Sequence, residues 1–197
     1  MTNTISIAIE GLCCVGKTSL THCLLKEVAG TSVIPEVILQ GPPQNATSFR
    51  GFYYRNDLQK ELQLRELESA SNVVVIDRYY VSTLSHFAAV RQLLFSTRTD
   101  IESELRMLHA AHYAAVRQPT CWVFLRSDAT RSWERYRRLR SIDKQSLWGS
   151  CQGTALIARA MEACIRDRDI CAGTVLILDA DTGVAQHVEQ IRRVFGV

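Results

Sequence analysis

A glycine-rich turn near the N-terminus contains residues whose types and spacing could do phosphate chemistry. The pattern G-x-x-x-x-G-K-[ST] runs from Gly11 to Thr18, with its lysine at Lys17. In such a loop the two glycines let the backbone curl until successive N–H groups point at phosphate oxygens. The lysine reaches the β- and γ-phosphates, and the threonine hydroxyl binds Mg²⁺. The segment therefore predicts a site for an anion with several charges.

The residues on either side of this loop fit the same interpretation. In residues 5–9 every second residue is isoleucine, as in a strand, and residues 20–28 place apolar side chains at helical spacing. The predicted nucleotide contacts of the loop are Gly11, Cys13, Cys14, Val15, Gly16, Lys17, Thr18 and Ser19. A helix N-terminus and a lysine lower a thiol pKa, so Cys13 and Cys14 could be redox sensors. The alternative, which the amide chemistry of the loop favours, is that only their backbone binds.

Two further strands are predicted to end in charged residues. Glu36 follows the short apolar run at 32–34, and Asp77 and Arg78 follow the β-branched run at 73–76. Ligands of open α/β sheets bind beyond the carboxyl ends of the strands, so these side chains are predicted at the edge where the loop lies. An acid after such a strand helps to hold Mg²⁺. The alternatives are a solvated loop acid at Glu36 and, at Asp77 and Arg78, a structural ion pair between the two or with neighbours.

An aromatic cluster lies between these two strands. It comprises Phe49, Phe52, Tyr53 and Tyr54, with Arg50 and Arg55 among them. The rings could stack on a nucleobase or pack into the core, and the sequence leaves both open. We take Phe49, Tyr54 and Arg55 as candidate substrate contacts.

Composition and charge restrict the class of protein. The chain has 197 residues, of which 47% are hydrophobic, and a net charge of +3, which fits one domain over residues 1–197. Its arginines crowd into residues 126–140, which indicates a local anionic ligand rather than a polymeric nucleic acid. The N-terminus shows no signal peptide, and no run is long enough for a membrane span. The seven cysteines form no C-x-x-C pair, so a reducing, cytoplasmic location is expected.

The order of predicted elements indicates the fold class. Strands near residues 5–9, 32–34, 73–77, 120–125 and 174–178 alternate with helices near 17–28, 55–68, 101–117, 131–140 and 184–195. Such alternation requires crossover connections, so it predicts a parallel sheet covered on both faces.

Several segments together resemble the deoxynucleoside kinase and thymidylate kinase group of P-loop kinases. They are IEGLCCVGKTSL, VIPEV, VVVIDRYYVSTL, ERYRRLRS and VLILDAD, in that order. The resemblance implies an α/β, three-layer P-loop NTPase fold with a five-stranded parallel sheet and an arginine-bearing lid at about residues 131–150. The resemblance is compatible with a homodimer, although no apolar stripe in the sequence marks a dimer interface.

The resemblance also implies roles for single residues. Lys17 would serve the ATP phosphates, Thr18 and Asp77 would bind Mg²⁺, and Glu36 and Arg78 would act at the acceptor. The arginines that fall in the lid are Arg135, Arg137, Arg138 and Arg140, the first two as catalytic residues and Arg138 as an ATP contact. The adenine of ATP would lie against Ala180, Asp181 and Thr182. One departure is Val37, which stands where nucleoside kinases usually carry proline.

Protonation distinguishes two acceptors. The 5′-hydroxyl of a nucleoside must lose its proton, for which a carboxylate such as Glu36 is useful. A nucleoside monophosphate such as dTMP is already ionised and needs cations instead, which Arg50 and Arg55 could supply. We expect ATP- and Mg²⁺-dependent transfer to a (deoxy)nucleoside, with monophosphate kinase activity as the alternative. A nucleotide-binding switch without catalysis is a third possibility, although a guanine-reading N-K-x-D segment is absent.

Overall fold

The computed structural model describes residues 4–40, 46–95, 100–139 and 147–197, and for residues 46–50 and 94–95 the backbone only. The strands are β1 (Ile5–Gly11), β2 (Thr31–Ile34), β3 (Val73–Asp77), β4 (Cys121–Arg126) and β5 (Thr174–Asp179). The helices are α1 (Lys17–Glu27), α2 (Ala46–Leu67), α3 (Tyr80–Phe95), α4 (Ile101–His112), α5 (Ala129–Leu139), α6 (Cys151–Arg166) and α7 (Val184–Phe195). A short 3₁₀ helix spans Leu147–Gly149.

The five strands form one parallel sheet in the order β2-β3-β1-β4-β5. Every residue of β3 is buried, and successive side chains of a strand point to opposite faces, so helices cover both faces of the sheet. On these faces α1 packs against α7, and α3 packs against α4 and α6. The predicted α/β architecture with a five-stranded parallel sheet is confirmed.

Strand register brings the functional segments to one edge of the sheet. Ile9 of β1 lies opposite Asp77 of β3, and Gly11 lies opposite Leu125 of β4. The phosphate-binding loop therefore begins beside the end of β3, where Asp77 and Arg78 are found.

The helices differ most from the sequence-based expectations. α2 begins at Ala46, nine residues before the predicted start. α4 ends at His112 rather than near residue 117, because Tyr113 turns into the core and its hydroxyl donates to Asp57 Oδ2 at 3.0 Å. α3 was not predicted, since its buried residues lie on most sides of the helix and leave little amphipathic period to detect. α6 was also missed.

Two predictions from composition can be compared with the described residues. None of the helices in these ranges is long and apolar enough to cross a membrane. All seven cysteines are free thiols.

Candidate active site

The loop between β1 and α1 has the backbone shape that its glycines predict. Gly11 and Gly16 adopt φ values of 144° and 97°, which side-chain-bearing residues rarely adopt. A Cβ at Gly11 would also lie 2.6 Å from the carbonyl oxygen of Leu125, so an alanine could not fit there without a shift. The N-terminus of α1 has no side-chain cap at Gly16. Its first N–H groups are therefore suited to an anion.

Lys17 is the first residue of α1, directly after this loop. Its side chain is buried, with 6% exposure, and Nζ donates to the carbonyl oxygen of Leu12 at 2.5 Å. Burial, and then the nearby Arg78 charge, lower the pKa of Lys17 to about 8. Among the described residues no carboxylate forms an ion pair with it. A phosphate group would supply the opposite charge that the desolvated ammonium lacks.

The two predicted magnesium ligands are brought together. Thr18 Oγ1 donates to Asp77 Oδ2 at 3.1 Å. The other carboxylate oxygen, Asp77 Oδ1, is buried and has no hydrogen-bond partner in the described structure. Mg²⁺ binds proteins through one or two oxygen ligands and takes the rest from water and phosphate, so a hydroxyl and an unsatisfied carboxylate fit this ion.

Arg78 is buried at the end of β3 and pairs with Glu36. Arg78 Nε lies 2.9 Å from Glu36 Oε1, in an ion pair without the alignment of a hydrogen bond. Its Nη1 donates to the carbonyl oxygen of Gly11 at 3.1 Å and to Ser82 Oγ at 3.0 Å. The sequence left open an ion pair of Asp77 and Arg78 with each other or with neighbours, and the structure pairs Arg78 with Glu36, two residues after the end of β2.

A cavity enclosing about 560 Å³, part of it open to solvent, lies beside this ion pair. It is lined by Cys13, Glu36, Tyr53, Asn56, Asp57, Lys60, Arg78, Tyr79, Ser82, Thr83, His86, Phe87 and Trp148. Most of this wall comes from α2, α3 and the 3₁₀ helix. Of these the sequence connected only α2 with a substrate, through the aromatic cluster, and Tyr53 of that cluster lines the cavity. The charged residues at positions 57 and 60 gave a further signal that was not used, because they share a helical face with the apolar Leu64.

The polar groups of this wall are largely buried. Burial raises the pKa of Asp57 to about 6, although Tyr113 and Thr83 donate hydrogen bonds to it. Lys60 Nζ donates to the carbonyl oxygens of Asp77 at 3.0 Å and Arg78 at 2.6 Å. Burial, and then Arg78, lower the pKa of His86 to about 4, so its imidazole is neutral at physiological pH.

Some predicted substrate residues are placed elsewhere. The ring of Tyr54 packs edge-on against Tyr113 and His112, with centroids 5.6 Å apart in both pairs, and Tyr54 does not line the cavity. Arg55 is exposed and is not part of the cavity wall. The side chain of Phe49 lies outside the described part of the chain.

The arginines of α5 contact the loop after β5. Arg131 and Arg135 each place a guanidinium nitrogen 2.6 Å from a carboxylate oxygen of Asp181. The guanidinium of Arg137 lies 4.7 Å from the centre of the Trp133 ring. The predicted ATP contact Arg138 is exposed, and Arg140 lies outside the described ranges.

The remaining predicted nucleotide contacts lie in the two loops and in the first turn of α1. Cys13 and Cys14 are half-buried, Val15 is buried, and Ser19 is exposed on α1. The loop after β5 turns at Asp179, whose carbonyl oxygen accepts from the N–H of Thr182, while Ala180 N–H donates back to Arg126 of β4. A further contact joins these regions, since Ser132 Oγ of α5 donates to the carbonyl oxygen of Cys13 at 2.6 Å.

Comparison with known proteins identifies the fold. No protein-family model and no curated protein sequence matches the chain. The structure is similar to thymidylate kinase from Candida albicans, with a TM-score of 0.74 and 15% identity over 98% of this chain and 92% of that one. It is also similar to deoxyadenosine kinase from M. mycoides with bound dCTP, with a TM-score of 0.67 and 14% identity over 98% of this chain and 99% of that one. The structure of the same kinase with bound dATP gives a TM-score of 0.66 and 16% identity over 97% and 99% of the two chains. The chain therefore has the α/β fold of the thymidylate and deoxynucleoside kinases.

Proposed function

We propose that the protein transfers the γ-phosphoryl group of ATP to the 5′-hydroxyl of a nucleoside, most readily a deoxynucleoside. The observation that carries this proposal is the convergence of Glu36 and Arg78, 2.9 Å apart, at the wall of a cavity that the phosphate-binding loop also lines through Cys13. A carboxylate and an arginine beside a phosphate site are the two groups that transfer to a hydroxyl requires.

The donor side would hold ATP largely through the backbone. The amides of residues 12–18 and the ammonium of Lys17 bind the phosphates, while adenine lies against Ala180, Asp181 and Thr182. Thr18 and Asp77 would hold Mg²⁺, which neutralises phosphate charge when it is bound. Arg135, Arg137 and Arg138 would approach the phosphates when the lid closes and excludes water.

Glu36 is suited to act as general base. The side chain of Glu36 is 50% exposed, so a hydroxyl group in the cavity can reach it. Arg78 holds one carboxylate oxygen of Glu36 by the ion pair and leaves the other available. Glu36 would accept the hydroxyl proton as the hydroxyl oxygen attacks the phosphorus. This lowers the cost of deprotonation, which a hydroxyl acceptor has and an ionised acceptor does not.

The charges of the cavity favour a nucleoside over a monophosphate. Lys60 already donates to two backbone carbonyl oxygens, and Arg78 already contacts Glu36, Gly11 and Ser82. The acids Glu36 and Asp57 line the same wall. An acceptor phosphate would be repelled by two carboxyl groups and would find only cations that already have partners. An uncharged sugar and base would not be repelled.

The rest of the wall suits a nucleobase. Tyr53, Phe87 and Trp148 present aromatic rings to the cavity, together with the neutral imidazole of His86. Aromatic rings stack on the faces of any base, so this part of the wall supports a nucleoside without selecting one base.

A substrate panel tests the proposal. Purified protein with ATP and Mg²⁺ is incubated with deoxynucleosides, thymidine and deoxycytidine first, and separately with the corresponding monophosphates, and ADP is measured. We expect ADP only with nucleosides. ADP formation with monophosphates alone would establish the thymidylate kinase activity, which the similarity to the Candida albicans enzyme favours. ATP binding with no acceptor-dependent ADP would indicate a nucleotide-binding switch.

A further inference from the structure

The backbone of Arg78 adopts an uncommon conformation. Its φ of 58° lies in the left-handed region, which a residue with a long side chain adopts only when its surroundings impose it. This conformation turns the chain between β3 and α3 and directs the guanidinium toward the phosphate-binding loop, where it contacts Gly11. Something in the structure must therefore hold the turn.

Two buried side chains fix the peptide groups on either side of Arg78. Lys60 Nζ donates to the carbonyl oxygens of Asp77 and Arg78. Glu10 Oε1 accepts from the backbone N–H of Tyr79 at 2.8 Å. Neither Lys60 nor Glu10 was identified from the sequence.

Glu10 is also linked to the Arg78 guanidinium through the hydroxyl of Ser82. Its second oxygen, Oε2, accepts a short hydrogen bond from Ser82 Oγ. The same Ser82 oxygen accepts from Arg78 Nη1 at 3.0 Å. A continuous chain of contacts thus runs from Glu10 through Ser82 and Arg78 to Glu36.

The buried position of Glu10 carries a desolvation cost. Glu10 is 1% exposed, at the end of a strand whose preceding residues Ile7, Ala8 and Ile9 are fully buried. A carboxyl group there is expensive to desolvate, and an apolar residue would pack without that penalty. Glu10 accepts hydrogen bonds from Tyr79 and Ser82, which an apolar residue at this position could not do.

We infer that Glu10 is a positioning residue that sets the backbone and side chain of Arg78, acting through Tyr79 and Ser82. The inference rests on the proposed function, because Arg78 is the acceptor-side arginine of that reaction. Glu10 does not line the cavity, whereas its contacts Tyr79 and Ser82 do, so it acts on the acceptor only through these two residues and Arg78.

A double-mutant cycle separates positioning from a merely structural role. Glu10→Gln keeps the shape but replaces a carboxyl oxygen, which accepts a hydrogen bond, by an NH₂ group that can only donate, and Ser82→Ala removes the hydroxyl that links Glu10 to Arg78. We expect each to lower kcat with a nucleoside, by about 10-fold to 10²-fold for Glu10→Gln, while the dissociation constant for ATP stays unchanged. In an Arg78→Ala background Glu10→Gln should have no further effect, because the side chain it positions is gone. Additive losses would overturn the inference.

Glu104→Gln is the matched control. Glu104 is also 1% exposed, and it pairs with Arg91 between α3 and α4, outside the cavity wall. We expect its loss to affect stability and to leave kcat unchanged. An equal fall in kcat for Glu104→Gln and Glu10→Gln would mean that any buried carboxyl group matters in the same way.

A measurement without substrate tests the positioning of Arg78 separately from the proposed function. In protein with ¹⁵N-labelled arginine, a guanidinium held at several nitrogens rotates slowly and gives resolved side-chain signals, assigned here by their loss in Arg78→Lys. We expect Glu10→Gln and Ser82→Ala to average these signals and Glu104→Gln to preserve them. Unchanged Arg78 signals in both site variants would refute the positioning role. A wild-type protein that lacks kinase activity but shows the expected spectra would refute only the proposed function. If Glu10→Gln does not fold, the smaller change Ser82→Ala decides the result.

Discussion

The phosphate-binding loop and the cavity beside Glu36 and Arg78 are built in different ways. The loop is one continuous segment from Gly11 to Thr18, and the groups that it would offer a phosphate are mainly backbone amides whose direction two glycines allow. The cavity wall comes mainly from α2, α3 and the 3₁₀ helix, with Glu36 from the segment after β2 and Arg78 from the turn after β3, and the groups that it would offer a ligand are side chains. Substitutions in the loop should therefore abolish all phosphate chemistry, whereas substitutions in the cavity should alter the acceptor and spare ATP.

The largest expected effect is on the loop side. Lys17→Met removes the ammonium group that would face the transferred phosphate, and we expect turnover to fall about 10³-fold with every acceptor. Acceptor-dependent ADP release measures this fall. Lys26→Met, in the last turn of the same helix, should leave turnover unchanged. Comparable activity in the two variants would show that the loop does not bind the reacting phosphate.

The next effect should be confined to the acceptor side. Glu36→Gln removes the proposed base, and we expect kcat for a nucleoside to fall about 10²-fold or more because the hydroxyl keeps its proton. Titration with ATP should give the wild-type dissociation constant. Glu27→Gln, an exposed acid at the end of α1, is the control. Turnover that survives Glu36→Gln would remove this carboxylate from the mechanism.

Glu10 lies between the two regions and should make stability depend on pH. Burial raises its pKa from 4.5 to about 7, against the opposing effects of Ser82, Arg78, Tyr79 and Lys60. As the pH rises from about 4.5 to 7 the unfolded chain releases a proton that the folded chain retains, so stability is lost, by up to about 3 kcal/mol.

The variant Glu10→Gln does not titrate and provides the reference. Urea unfolding of both proteins between about pH 5 and 8 should show the wild type losing stability relative to the variant as the pH rises. A difference in unfolding free energy that stays constant over this range would contradict the prediction.

A smaller effect is expected at the aromatic part of the cavity. Trp148 lies near Arg78, whose guanidinium is 5.8 Å from the centre of its ring, and near His86. Trp148→Ala should raise KM for the nucleoside about 10-fold, because stacking on the base is lost, and should leave KM for ATP unchanged. Trp148→Phe should recover much of the binding. An equal rise in both KM values would place Trp148 on the donor side.

The smallest effect concerns the arginines of α5. Asp181→Asn removes the carboxylate that Arg131 and Arg135 share, but these three side chains are substantially exposed. We expect a loss of unfolding free energy close to the measurement error of urea denaturation, and a smaller one still in high salt. A larger loss would mean that this contact anchors the helix to the loop after β5.

The sequence predicted the parts of the site that follow from local pattern. The phosphate-binding loop depends on adjacent residues, and Glu36, Asp77 and Arg78 were placed together because parallel strands end at a common edge. The cavity wall could not be found in this way, since α3 has buried residues on most of its sides and shows little period. Tyr54 could not be assigned either, because only tertiary structure decides whether a ring faces a ligand or packs on Tyr113.

Ser132 gives the arginine-bearing helix a fixed point. Its hydroxyl is fully buried and bonded to the carbonyl oxygen of Cys13, so the first turn of α5 is attached to the loop that would hold the phosphates. The same helix also packs against α6. The arginines of α5 are therefore carried by an element that is already attached to the loop, so a change in the shape of the loop on ligand binding would be transmitted to this helix through Ser132.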